Sequence, residues 1–337
     1  MTAATGQSEA LDLGAIAAIF RPIFYVLREK KKLLLLILVA AFFFAVLIFP
    51  YDDLSDLLMT QAAAHGVYLE FQSMGLSFFP PSLRLNKVSV DVAMLPTINA
   101  GEIYLAPSLM GLLTFSPGFS ASADNFLKGS LYVNYRLGHK TNHVRMQTIA
   151  LSLDDLDLKD LSEFAQLPVT MEGRLLGDIE GSFDPTFTNQ PSGSASIQIN
   201  KLHIPAAMVP ALMALTLPDM RISRVNLTGT LSDGQLDITN GVIGKQGDNV
   251  HGRIKGTMQL QINNQAGFVY TNVGSYQFNI DLTLDPSIEK NFGAMLSLLN
   301  FDQYRTVTAD GTRYALKLSG TGSGSPPTPS PLDPNAF

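Results

Sequence analysis

The chain has 337 residues, of which 46% are hydrophobic and only 15% charged, with no cysteine and a formal net charge of −6. That balance excludes a nucleic-acid partner, because there is no basic footprint for a phosphate backbone, and the missing thiols exclude disulfides, thiolate metal sites and cysteine nucleophiles. So apolar a chain must bury much of its folded part or turn it toward an apolar partner.

The segment Leu13 to Leu27 is apolar enough for an interfacial helix, interrupted near Pro22. Leu33 to Phe49 then reads LLLLILVAAFFFAVLIF without a polar side chain, and at 1.5 Å per residue it spans about 25 Å, enough to cross a bilayer with little tilt. Leu33, Leu36, Phe42, Phe43, Phe44 and Phe49 carry the expected membrane anchor. Arg28, Lys30, Lys31 and Lys32 precede it, while Asp52, Asp53 and Asp56 follow it. The positive-inside rule therefore puts the N-terminus in the cytoplasm and the rest of the chain on the other side. Ala62-Ala63-Ala64 lies too far past the apolar run to serve as a signal-peptide cleavage site.

Asp52 or Asp53 is placed to cap a short helix through Ala64, which Gly66 stops. Beyond it, period-two alternation dominates. Tyr276, Phe278, Ile280, Leu282 and Leu284 alternate with polar residues, and similar runs surround Leu236, Leu260 and Leu316, so the domain is expected to be mainly antiparallel β.

Three segments share one pattern: Leu83-Arg-Leu-Asn-Lys-Val-Ser-Val90, Leu151-Ser-Leu-Asp-Asp-Leu-Asp-Leu158 and Ile197-Gln-Ile-Asn-Lys-Leu-His-Ile204. Each reads apolar-x-apolar, two polar residues, then apolar-x-apolar. The polar pair shifts the apolar phase by one, which a strand accommodates with a bulge or a sharp bend so that both halves face the core. Helices are expected at Lys159 to Gln166, at Pro205 to Thr216 and at Pro286 to Leu299, the last capped by Asp285 with Pro286 in its first position. Residues 206–217 (AAMVPALMALTL) are apolar nearly all round, as in a buried core helix, or as in a lid over an apolar groove or a membrane-touching element. Met208, Leu212 and Met213 there, with Leu282 and Leu284, are the candidates for lining or covering such a groove. The last residues, 321–337, hold prolines without apolar periodicity and read as a disordered tail.

No catalytic constellation emerges. His139 and His143 are close but lack a metal-ligand context, and Asp154, Asp155, Asp157 and Asp160 lack the glycine and terminal glutamate of a calcium loop, so they read as a solvated strand end. Nucleophile-elbow and phosphate-loop motifs are absent. Neither enzyme activity nor a cofactor or metal is expected.

The anchor followed by Phe49-Pro50-Tyr51-Asp52, the strand pair Leu69 to Val92 with Phe79-Pro80-Pro81, and Tyr314-Ala-Leu-Lys-Leu-Ser-Gly-Thr321 resemble the general secretion pathway protein N family of bacterial type II secretion. The exported part of that family is similar to AsmA-like proteins. The resemblance implies a single-pass protein of the bacterial inner membrane, with a cytoplasmic tail at 1–32, a transmembrane helix at 33–50 and a periplasmic domain at 51–320. That domain would be a curved, largely antiparallel AsmA-like sheet with a few short apolar helices, either whole or in two sub-repeats meeting near residue 190. The implied role is a non-catalytic accessory or assembly component of type II secretion, in contact with the secretin or the inner-membrane platform. The AsmA-like side of the resemblance implies instead phospholipid binding or transfer.

Overall fold

The computed structural model describes residues 51–64, 66–78, 81–92, 96–108, 116–141, 144–209, 215–265, 268–298, 301–322, 327–333 and 335–337. The expected anchor, the basic residues before it and the interfacial segment lie outside these residues, as do Leu212 and Met213, while Asp52, Asp53 and Asp56 lie in the first helix. Among the described residues no helix is long and apolar enough to cross a membrane. The chain divides into two compact units, 1–56 and 57–337.

The elements in order are α1 (Tyr51–Ala64), β1 (Val67–Phe78), β2 (Pro81–Val92), β3 (Ile98–Pro107), β4 (Gly118–Phe126), β5 (Gly129–Thr141) and β6 (Val144–Asp157). Then come α2 (Leu158–Phe164), β7 (Glu172–Phe183), β8 (Ser192–Ile204), β9 (Ala207–Val209), β10 (Leu215–Leu217), β11 (Met220–Ser232) and β12 (Gln235–Ile243). The chain continues through β13 (Val250–Gln265), β14 (Phe268–Leu284), α3 (Pro286–Leu298), β15 (Arg305–Thr308), β16 (Gly311–Thr321) and β17 (Thr328–Pro331). Every strand except the β9–β10 pair joins one antiparallel sheet of fifteen strands, in which chain neighbours pair almost throughout. β7 and β8, on either side of residue 190, pair directly, so the sheet is continuous there.

Local chemistry sets the element boundaries. Gly66 ends α1 at φ +76°, a backbone angle that costs glycine nothing, with its N–H on the Ala63 carbonyl at 3.0 Å. Asp157 caps α2 by accepting from the N–H groups of Lys159 at 2.9 Å and Asp160 at 3.4 Å. Asp285 caps α3, accepting from Ser287 N–H at 2.9 Å, while Pro286 sits where no donor is needed. Asp233 and Gly234 join β11 to β12, both at positive φ, as a two-residue hairpin demands.

The repeated polar pair forms the expected bulges in β6 and β8, where the register slips by one residue, and a bend without a slip in β2. Lys87, Asp155 and Lys201, the second polar residue of each copy, sit at φ +49°, +54° and +53°. The next residues, Val88, Leu156 and Leu202, are buried at 1%, 2% and 8% exposure. The residue at positive φ turns the second half of each pattern back onto the core, with an extra residue in β6 and β8. A fourth copy lies in β4, where Asn125 has φ +56° and the register slips between Asp124 and Phe126. All four kinks fall in even-numbered strands, the three bulges near the C-terminal ends of β4, β6 and β8 and the bend at Lys87 in the middle of β2. A glycine of the preceding strand faces three of them: Gly101, Gly129 and Gly173. A Cβ on Gly129 would meet the Asp154 and Asp155 carbonyl oxygens at 2.5 and 2.6 Å, so no larger residue fits beside that bulge.

The main core lies at this bulged end. Leu156, Leu158, Leu175, Leu202, Ile222, Val225, Val250 and Ile288 form it, with α2 and α3 closing over the bent strands. A second cluster of Leu296, Tyr314 and Leu316 packs α3 on β16. Glu289 in the first turn of α3 fixes that contact, accepting from Thr312 Oγ1 at 2.5 Å and Tyr314 OH at 3.3 Å and pairing with Arg305 at 2.6 Å.

Two expectations are corrected. Where a helix was expected from Pro205 to Thr216, the described residues are strand instead: Ala207–Val209 and Leu215–Leu217 pair antiparallel. A proline such as Pro210 offers no N–H to a helix interior, and the strand pair leads to β11 beside β8. The tail is not wholly without structure either, because Thr328–Pro331 pairs with Leu316–Ser319 as β17.

Candidate functional site

The pairing registers align one residue from every strand of the large sheet except β15 into a single row. It runs Leu76, Leu83, Leu105, Ala121, Val133, Leu151 and Ile179, then Ala195, Gly229, Ile238, Gly256, Phe278, Leu318 and Pro329. Directly paired residues share a face, and every member is apolar or glycine. At about 4.8 Å between strands the row is about 60 Å long.

Each residue of this row is only half-buried. The clusters of fully buried side chains take in Leu318 alone, where α3 lies over β14 and β16. Two residues nearer the bulged end, burial becomes complete at Leu85, 1% exposed. The row therefore marks the margin of the core, where a continuous apolar strip meets open space.

The opposite face is polar. The row one step along pairs Gly75, Arg84, Tyr104, Ser122, Tyr132 and Ser152, and continues through Asp178, Ser196, Thr228 and Asn240. Charges on it pair across strands, Arg84 with Glu102 at 2.5 Å and, further along this face, Asp281 with both Arg313 at 2.6 Å and Arg253 at 3.5 Å, while Asp178 accepts from Ser152 at 2.7 Å. The Arg313 guanidinium, bonded to Asp281, holds its carboxyl below the usual carboxylate range. This face is built for water and the other is not.

The residues expected to line or cover a groove are dispersed. Leu282 and Leu284 pack against the core at the bulged end. Met208 is 64% exposed on β9. The acidic cluster serves the strand end: Asp157 caps α2, Lys128 meets Asp160 at 2.8 Å and Asp157 at 3.6 Å, and Asp155 faces Arg174 at 3.7 Å.

One polar constellation was not legible in the sequence. His203 on β8 places Nδ1 2.9 Å from Glu172 Oε2 and Nε2 2.6 Å from Asp219 Oδ1. The two carboxylates raise the His203 pKa, and the imidazole lowers that of Asp219. With both ring nitrogens occupied, His203 has none left to activate a nucleophile. Its chemistry is that of a latch: His203, one residue before the end of β8, meets Asp219, just ahead of β11, so the pair ties together the two flanks of the β9–β10 strand pair. Sequence spacing of 31 and 16 residues gives no hint of this contact.

The apolar row was also missed as a whole. Its residues are visible one strand at a time, but the alignment depends on thirteen registers and on the phase shift at each bulge. The Asp124-Asn125 pair after Ala121-x-Ala123 was the readable sign of the fourth copy, obscured because its apolar positions are alanines.

Compared with family profiles, curated proteins and solved structures, the chain matches none significantly. The fold and its two faces define a class of architecture: a single antiparallel meander with one polar face and one continuous, partly uncovered apolar face.

Proposed function

We propose that the apolar face binds the acyl chains of phospholipid, in a protein anchored to the bacterial inner membrane by residues 33–50 and exposing its sheet to the periplasm. The observation that carries this reading is the unbroken half-buried row from Leu76 to Pro329. A surface of that kind is unfavourable in water at about 25 cal/mol per Å2 of apolar area, and linear hydrocarbon fits a long narrow strip better than a folded partner would. The AsmA-like resemblance points the same way. No catalytic step is assigned.

Mass spectrometry of lipid extracted from the full-length protein, purified from membranes in mild detergent, tests the reading. Phospholipid should accompany the wild-type chain and fall several-fold in the variants Leu151→Asp and Ile179→Asp, which place a charge on the strip away from the buried clusters. Lipid content unchanged in both variants would refute it.

A second reading, an accessory role in type II secretion through contacts with the secretin or inner-membrane platform, draws on the polar face. Tyr68 and Tyr132 are exposed at 61% and 45%, the amphipathic residue type that protein interfaces favour. Export of all type II substrates at wild-type levels in a deletion strain would count against it.

A further inference from the structure

The two ends of the sheet are finished differently. At the C-terminal end β16 is covered by β15 and β17, and β17 contains Pro329 and Pro331, which have no N–H to offer a further strand. At the other end β1 pairs with β2 on one side, and among the described residues nothing pairs with its outer edge. β1 is 12 residues long, contains no proline and carries Glu70 as its one charge. Long, uncharged, proline-free edges are what natural sheets avoid unless another strand is to be added.

The sequence of β1 says which strand that is. It reads Val67-x-Leu69-x-Phe71, then Gln72-Ser73, then Met74-x-Leu76-x-Phe78, the same pattern in both directions. When the strand is laid antiparallel against itself, centred between 72 and 73, Leu69 falls opposite Leu76 and Phe71 opposite Met74. Glu70 falls opposite Gly75, so no like charges meet. We propose that the outer edge of β1 is a homodimer interface, where a second copy adds its own β1 antiparallel in this register. The strip that begins at Leu76 then meets Leu69 of the second copy, so apolar side chains line both sides of the shared edge. This inference holds or fails independently of what the strip binds.

The absence of native cysteine lets engineered thiols report register. Two tagged full-length chains, one Tyr68→Cys and the other Ser77→Cys, are co-expressed in membranes and oxidised. The proposed register puts these positions opposite each other, within disulfide reach. Two Tyr68→Cys chains should not link, because their thiols lie about 30 Å apart. Gly75→Glu gives the companion test. A Cβ there meets nothing within 4 Å in its own chain, yet the substitution puts a carboxylate opposite Glu70 of the second copy at both symmetry-related positions. Dimer dissociation, measured by native mass spectrometry in detergent, should become at least about fivefold easier. Register-specific linking with that weakening supports the dimer. A monomer at all concentrations, linking indifferent to register, a dimer insensitive to Gly75→Glu, or thiols that link only to another protein would each overturn it.

Discussion

The side-chain amide of Gln190, in the loop between β7 and β8, donates to the Ile262 carbonyl at 3.1 Å and accepts from the Ile262 N–H at 2.9 Å. A glutamine thus supplies to β13 the two hydrogen bonds that a neighbouring strand would supply. Gln190→Ala deprives both backbone groups of their partners and should lower stability by about 1–2 kcal/mol. The denaturation midpoint of the full chain in detergent checks this, and an unchanged midpoint would show that water replaces the amide at no cost.

The bulge residues predict substitutions of opposite sign. A side chain at φ near +50° costs about 1 kcal/mol relative to glycine, so Lys201→Gly should be neutral or stabilise by up to about 1 kcal/mol. Lys201→Val, with a branched Cβ in the same conformation, should destabilise by about 1–2 kcal/mol. Equal effects of the two substitutions would mean that the bulge relaxes when the side chain changes.

Leu316 and Leu151 separate core from strip. Leu316 is 0% exposed, and Leu316→Ala should cost about 3 kcal/mol. Leu151 is half-buried, and Leu151→Ala should cost about 1 kcal/mol or less while reducing bound lipid. Thermal unfolding together with lipid content on the same preparations distinguishes them; a loss at Leu151 as large as at Leu316 would place the strip inside the core.

The His203 latch gives a pH dependence. Its pKa is raised in the folded chain by Glu172 and Asp219, so its stabilisation is fully present below about 6.5, the ordinary histidine value, and is lost as pH rises through the higher folded value. The pKa of Asp219 is lowered, so its share is present above about 3.9 and lost as pH falls through the lower folded value. The latch is therefore at full strength from about pH 4 to 6.5. The melting-temperature gap between wild type and His203→Gln should be widest at pH 5.5 and close by pH 9. Amide exchange in β9 and β10 should quicken over the same interval; a gap independent of pH would remove the ionised latch.

The residues themselves determined the parts whose causes are local. Asp157 and Asp285 cap helices because a short carboxylate before a helix meets its free N–H groups, and Gly66 stops one because it adopts positive φ freely. The Asn-Lys and Asp-Asp pairs mark bulges because two polar residues between alternating runs reverse the apolar phase. In each case the cause and the consequence lie within a few positions of each other. The helix expected from Pro205 to Thr216 gave way, in its described residues, to strands for the converse reason. Its apolar composition suits helix and hairpin alike, and the hairpin follows from the need to bring β11 back beside β8, a partner many residues away.

Only the tertiary structure decided which side chains stand side by side. The strip from Leu76 to Pro329 needs all its registers at once, and a slip of one residue in any strand would turn that strand's apolar residues to the polar face. Gln190 with Ile262, and His203 with Glu172 and Asp219, are likewise products of register and loop path. Sequence thus specified an amphipathic β-meander with its bends and caps; folding selected the alignment that makes one face a continuous strip, because only there do the bulged ends meet α2 and α3 in a common core.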